Sequence, residues 1–219
     1  MDLFKLILVI RRQKMNYFLK AVLACFAGIA TLILSGCAAT DQRVASSPPP
    51  NGSGWIALID GTNLNAFLPV GNANIRLDNG VAQAEVGTGY LWTKKPYQNF
   101  ELTAELYVDS VANSGIMIRC SDPKKIGSAT CYEFNVWDAR PDPTYATGAI
   151  VNVSKVTDFP KTINRWNTLT IRANGSHLEF IVNGVKTADI QDSKMPNTGA
   201  IALQFDGFVK FRNVWVRPL

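Results

Sequence analysis

Residues 113–139, NSGIMIRCSDPKKIGSATCYEFNVWDA, contain two extended runs joined by a loop that begins after Cys120 and ends before Cys131. In the first run Ile116 and Ile118 share one parity while Met117 and Arg119 share the other. In the second, Tyr132, Phe134 and Val136 alternate with Glu133, Asn135 and Trp137. Period-two alternation marks a strand with one face buried. Sending the apolar sets inward leaves Arg119, Glu133, Asn135 and Trp137 on one outward face. A cation, a carboxylate, an amide and an indole side by side suit a sugar, whose hydroxyls need planar polar partners and whose C–H faces need an apolar ring. The plainer reading is a cross-strand Arg119–Glu133 ion pair on a solvated face, which contributes little.

The two cysteines pull against this parity. Cys120 shares the parity of Ile118, whereas Cys131 shares that of Glu133, so directly opposed thiols would face opposite sides of the sheet. A one-residue slip exchanges every side chain between faces. Either the disulfide closes in the loop outside the regular ladder, which is the expectation here, or a bulge intervenes, or the faces are assigned wrongly. A metal on these thiols is disfavoured, because no histidine or third cysteine lies near them in sequence.

From Trp55 onward the same alternation continues. ELTAELYVD (101–109) puts Leu102, Ala104, Leu106 and Val108 on one face. TLTIRANGSHLEFIVNGVKTADI (168–190) carries two tight turns, at Asn174-Gly175 and Asn183-Gly184, and Asn-Gly between alternating runs is a strong hairpin signal. IALQFDGFVKFRNVWVRPL (201–219) supplies two closing strands. No helical periodicity is sustained after residue 40. Many short strands over some 165 residues predict an all-β jelly-roll sandwich of two antiparallel sheets.

The formal charge of +5 suggests a nucleic-acid partner only until it is located. Residues 1–36 hold five of the 22 Lys/Arg and one of the 17 Asp/Glu, so the rest carries 17 against 16. No basic stripe with interleaved aromatics is present there, and nucleic acid is set aside. The N-terminal excess belongs to an address. Lys14 and Lys20 precede a 14-residue apolar run, Ala21–Leu34, short for a membrane span. Leu34-Ser35-Gly36-Cys37 resembles a bacterial lipobox, with cleavage before Cys37 and lipidation of its thiol. Residues 1–36 are thus expected to be a signal peptide, with Met15 an alternative start. Residues 37–53 would be the lipidated cysteine and a Pro/Ser/Gly-rich tether, and 54–219 the folded domain. Ala38, not Asp, follows Cys37, which by resemblance to Gram-negative lipoproteins favours the outer membrane. The expected localisation is the cell envelope, lipid-anchored at Cys37. In that oxidising compartment Cys120 and Cys131 are expected to pair.

Taken in order, GWIALIDGTNLNAF (54–67), GYLWTKKPYQNFELTAEL (89–106), NSGIMIR (113–119), CYEFNVWD (131–138), TGAI (147–150), RWNTLTI (165–171), NGVK (183–186) and VKFRNVWVRPL (209–219) resemble the 3-keto-disaccharide hydrolase domain family. The resemblance implies a concanavalin A-like fold and a secreted hydrolase or lyase acting on 3-keto-glycosides, with a carbohydrate or keto-sugar ligand. It supports Arg119 and Glu133 as site residues. Asn135 stands where the family often has Gln, an exchange that shortens reach by a methylene and keeps donor and acceptor. Asn113, Asn135, Trp137 and Gln204 are the candidate substrate-binding residues.

The family's histidine aligns with Asp206, in Gln204-Phe205-Asp206-Gly207. The chain's single histidine, His177, reads as a solvated hairpin residue. Asp206 can serve as a base or as an oxygen ligand for a divalent metal, although no metal is firmly implied; as Asp-Gly it also reads as ordinary turn chemistry. A conventional glycosidase needs two carboxylates flanking the bond, and the E-x-D-x-x-E run of glycanases with a similar fold is absent. A 3-keto sugar asks for less, because the ketone acidifies C2–H. Glu133 or Asp206 as base, with Arg119 or a metal stabilising the enolate, would be a minimal catalytic set. A noncatalytic carbohydrate-binding or structural envelope lipoprotein is the alternative. No nucleophile elbow, P-loop, zinc spacing or dinucleotide fingerprint is present.

Overall fold

The computed structural model describes residues 50–219, and these contain strands and turns but no helix. The predicted signal peptide, Cys37 and most of the tether lie outside the described residues. Thirteen strands follow one another: β1 (Ile56–Ile59), β2 (Phe67–Gly71), β3 (Arg76–Asp78), β4 (Val81–Ala84), β5 (Thr88–Thr93), β6 (Phe100–Val108), β7 (Asn113–Cys120), β8 (Tyr132–Val136), β9 (Trp166–Asn174), β10 (His177–Val182), β11 (Val185–Gln191), β12 (Ala200–Asp206) and β13 (Val209–Pro218). They form two sheets. One has eight strands in the order β11-β10-β9-β6-β13-β4-β3, with β1 also on β13; the other has five, β2-β5-β12-β7-β8. Every pairing is antiparallel. The expected two-sheet sandwich is what forms.

Alternation explains why the sheets stack. β6 reads buried and half-buried in strict turn, and its Leu102, Ala104 and Leu106 face inward. Leu169 and Ile171 of β9 and Phe211 of β13 join them from the same sheet. Leu91, Ile116, Phe134, Leu203 and Phe205 come from the other. Edge-to-face ring pairs cross the interface: Phe134 against Phe180 and Phe205 against Phe211, both with centroids 5.3 Å apart. Such contacts add to the area buried because the positive ring edge meets the negative face. On the outer side of the eight-stranded sheet, Glu101 pairs with Arg217 and Glu105 with Arg212, both at 2.7 Å. That β6 face is therefore an ion-paired surface. The hairpin turns fall at the two Asn-Gly pairs, with Asn183 and Gly184 both at positive φ (51° and 82°) as a type I′ turn requires.

The parity conflict at the cysteines is resolved by a bulge. Ala202 pairs with Met117 but Ala200 pairs with Cys120, so one extra residue is inserted in β7. Arg119 takes up the extra step in the left-handed region, at φ 57°. Cys120 is thereby returned to the outer face beside Met117, and it forms the disulfide with Cys131 there, at a Cα–Cα distance of 4.7 Å. The expected closure outside the ladder is corrected to a bulge within it. The disulfide loop folds over the outer face, and Ile126 packs on the cluster of Trp92, Met117, Cys120, Cys131, Ala200 and Ala202. The bridge closes a short loop, with a sequence separation of 11. Replacing both cysteines by serine is expected to lower the unfolding free energy by about 3 kcal/mol. An unchanged denaturant midpoint would show that packing alone holds the loop.

Candidate functional site

The bulge also moves Arg119. Its side chain lies on the inner side, wholly buried, where Nη2 donates to the Gly175 carbonyl in the β9–β10 turn and the guanidinium sits 5.9 Å from the Tyr132 ring. Burial depresses its pKa, with the Tyr132 phenol acting weakly against that. The expected Arg119–Glu133 pairing on one face is therefore corrected: the sign of alternation reverses at the inserted residue. Arg119 supports the end of the sandwich and does not face the site of Glu133.

Glu133 and Asn135 do project outward, on the face opposite Tyr132, Phe134 and Val136. Sheet register assembles three cross-strand rows there. One runs Val70, Tyr90, Gln204, Gly115, Asn135; the next runs Leu68, Trp92, Ala202, Met117, Glu133; the third joins Thr88, Asp206 and Asn113. Gly115 and Ala202 keep the centre of this floor low. At Gly115 an added Cβ would lie 2.6 Å from the Phe134 carbonyl oxygen, so no larger residue fits without moving β8.

Glu133 is half-buried and makes no side-chain hydrogen bond or ion pair with the described residues. Desolvation pushes its pKa up to about 6. On the same face three amide oxygens are buried without partners: Asn135 Oδ1 and Gln204 Oε1 in the neighbouring row, and Asn113 Oδ1 in the row beyond. Unpaired acceptors are costly when shut from water, so these three amides are not settled by the fold's own donors. Asn135 is fixed by its amide, which donates to the Tyr145 carbonyl. Asp206 ends β12 and accepts from the Thr88 hydroxyl at 2.8 Å.

Tyr90 is the residue that sequence reasoning missed. Its phenol pKa is raised by burial first, then by the charges of Glu133 and of Asp206, so both carboxylates bear on one hydroxyl. The alternation of TGYLWT signals only that Tyr90 and Trp92 share a face. That this face is Glu133's depends on β12 and β7 lying between them. Trp92 is packed beneath the disulfide loop, 8% exposed. Trp166 lies on the other sheet against Tyr107 and Arg212.

Beyond β8 the chain turns through 137–149 along the Asn135 end of the face. Asp138 anchors this segment by accepting from the Thr147 hydroxyl (2.5 Å) and from both the amide and the hydroxyl of Thr162 (2.8 Å each). It is a structural carboxylate. Trp137 directly follows the strand, its amide donating to Thr147 Oγ1 at 2.9 Å. The guanidinium of Arg140 lies 5.1 Å from its ring and 4.0 Å from the ring of Tyr145.

Among the described residues, one group has ligand atoms near enough to share a metal: His177, Glu179 and Asp189. It lies on β10 and β11, in the other sheet from Glu133. There His177 contacts Asp189 at 2.7 Å, and the Lys186 ammonium bridges Asp189 and Glu179. A lysine already supplies the positive charge, as the reading of His177 as a solvated hairpin residue anticipates.

The chain belongs to the 3-keto-alpha-glucoside-1,2-lyase-like domain family, whose sequence model matches residues 54–217. It is similar to a solved candidate glycosyl hydrolase from Parabacteroides distasonis at 25% identity and TM-score 0.66, over 76% of this chain and all of that one. A second such structure from the same organism shares 18% identity, TM-score 0.67, over 76% of this chain and 94% of the other. A β-glucanase from Bacillus licheniformis shares the fold at 10% identity and TM-score 0.52, over 78% of this chain and 100% of that one. No curated protein matches the chain.

Proposed function

We propose that the outer face of the five-stranded sheet binds a 3-keto-glycoside and cleaves its glycosidic bond by elimination, from a lipoprotein anchored in the cell envelope through Cys37. The observation that carries this reading is Glu133: a half-buried carboxylate, unpaired among the described residues and poised near pH 6, on a face with three unsatisfied amide oxygens. A general base works best when its pKa lies near the operating pH. Membership in the keto-glucoside lyase-like family supports the choice of a 3-keto-glycoside as substrate.

In this reading Glu133 takes the C2 proton that the neighbouring C3 ketone acidifies. The C–H electron pair becomes the C1=C2 double bond as the C1–O bond breaks, and the aglycone leaves as an alcohol after taking up a proton. Water then adds across C1=C2, and the proton returns to C2. Negative charge on the C3 oxygen during proton removal needs a donor. Arg119 lies on the inner side, so that role passes to the Tyr90 hydroxyl, which its raised pKa keeps protonated. Asn135 and Gln204, in the row beside Glu133, supply amides that reorient to meet the hydroxyls of the reacting sugar, and Asn113, a row beyond, meets the attached unit.

The test is aglycone release from a 3-keto-glucoside and from its unoxidised parent, with and without divalent metal. Release from the keto sugar alone supports the proposal; release from neither, by folded protein, turns it to the binding reading. That second reading, a noncatalytic carbohydrate-binding lipoprotein, is favoured by Asp206, whose carboxylate in place of the family's histidine is tied to Thr88. Asp206→Asn separates the two: a loss of tenfold or more in kcat/KM is expected if Asp206 takes part in turnover. Wild-type rates in both Asp206→Asn and Glu133→Gln would sink the mechanism.

A further inference from the structure

The loop after β8 holds a cation that the proposed elimination does not use. The Arg140 guanidinium lies against two rings, 4.0 Å from Tyr145 and 5.1 Å from Trp137. Stacking of this kind fixes the plane of an arginine while leaving its N–H edge free. That edge has no carboxylate: no ion pair to Arg140 forms among the described residues, and no side-chain hydrogen bond from it is made. Asp142, two residues on, feels its charge without pairing, and its carboxyl is held low chiefly by the Thr144 amide. Nor are the Arg140 nitrogens among the buried unsatisfied atoms, so they reach solvent. An arginine braced by two aromatic rings, open at its edge and spared its own carboxylate, is built to receive an anion.

Its position says which part of a substrate that anion belongs to. Tyr145 covers Asn135, accepting the Asn135 amide through its backbone carbonyl, so the Trp137–Arg140–Tyr145 cluster borders the Asn135 end of the face. Trp137 lies four positions beyond Glu133, about 13 Å at the rise of an extended strand. A sugar reacting at Glu133 cannot place its own substituents there, but the unit attached to it can. Glu133, two rows away from the Trp137 end, repels an anion at its own part of the floor.

We propose that Arg140 is a specificity-determining residue that selects glycosides whose aglycone carries an anionic group, a carboxylate or a sulfate. The proposal rests on reading this face as a glycoside site. Its test uses binding, so that it does not depend on the elimination chemistry. Three unoxidised probes are titrated calorimetrically into the full-length protein: the disaccharide of glucose with glucuronic acid, the counterpart bearing a sulfate at the same carbon, and the neutral glucose disaccharide. Wild type is expected to bind at least one anionic probe tenfold or more tighter than the neutral one. That preference should shrink as salt is raised, because the site is open to solvent. Arg140→Gln should cut the preference below threefold, and Arg140→Lys should fall between, since an ammonium neither stacks nor forks. Whichever anionic arm leads identifies the group. Equal affinity for all three probes in wild type, or an undiminished preference in Arg140→Gln, overturns the proposal while leaving the sugar site standing. Binding of none of the three by folded protein overturns this proposal, while the reading of the face as a 3-keto-glycoside site stands or falls on aglycone release from the keto sugar.

Discussion

Glu133→Gln is expected to make the protein inactive and more stable at once. Loss of the base should lower kcat/KM on a 3-keto-glycoside by about a hundredfold or more, the range for removing a positioned general base. The stability change follows from the same burial. The carboxyl titrates at about 6 in the fold against an ordinary 4.5, because desolvation disfavours its charged form. A raised folded pKa means that the group's favourable contribution is complete below about 4.5 and lost as pH climbs through about 6. Above that the ionised carboxylate opposes folding. A shift of this size corresponds to at most about 2 kcal/mol, and screening by the solvent that still reaches the group reduces it to about 1–2. Glutamine carries no such penalty, so at pH 7 the variant should unfold at higher denaturant than wild type, and at pH 4 the two should converge. The activity of the wild type should rise with pH along a limb near 6. A variant less stable than wild type at pH 7, or one that still turns over, would mean that Glu133 is held by interactions of its own and is not poised for a substrate.

Gly199→Ala is expected to lower stability by about 3 kcal/mol or more, the upper range for forcing atoms into a filled site. A Cβ on Gly199 would lie 2.4 Å from the Arg119 carbonyl carbon, 2.7 Å from its Cα and 2.7 Å from the Cys120 oxygen. These are backbone atoms of the bulge and cannot rotate away. The same glycine exchanges backbone hydrogen bonds with Tyr97, at 2.8 and 3.1 Å, so it cannot retreat without breaking them. Relief requires undoing the bulge, which would turn Cys120 away from Cys131. The variant should therefore lose denaturant resistance and yield less disulfide on oxidative refolding. An unfolding free energy within about 0.5 kcal/mol of wild type, with the disulfide fully formed, would refute the close approach and the bulge's role in setting the two faces.

The selectivity proposed for Arg140 and the cleavage proposed for Glu133 are separable by experiment. The first draws on a guanidinium braced at the rim of a loop, the second on a carboxylate desolvated on a strand. A protein that binds anionic disaccharides through Arg140 but releases no aglycone would be the carbohydrate-binding alternative, and Asp206 would then mark where the chemistry was lost.

The sequence by itself determined the class of fold, because alternation is a local property. Leu102, Ala104 and Leu106 face inward for the reason legible in ELTAELYVD, and Asn183-Gly184 turns the chain for the reason legible in its two residues. It determined as well that Glu133 and Asn135 share a face, since they lie two apart on one strand. What only the tertiary structure decided is which residues meet across strands. Alternation carried past Ile118 misplaces Arg119, because the residue inserted there answers to Gly199 on β12's approach, 80 residues away, and nothing local announces it. Tyr90 joins Glu133 and Asp206 through the order β5-β12-β7-β8, which the chain visits out of sequence. Glu133's elevated pKa has the same origin: a carboxylate is desolvated by whatever folds over it, and that depends on the assembled sheet and its loops.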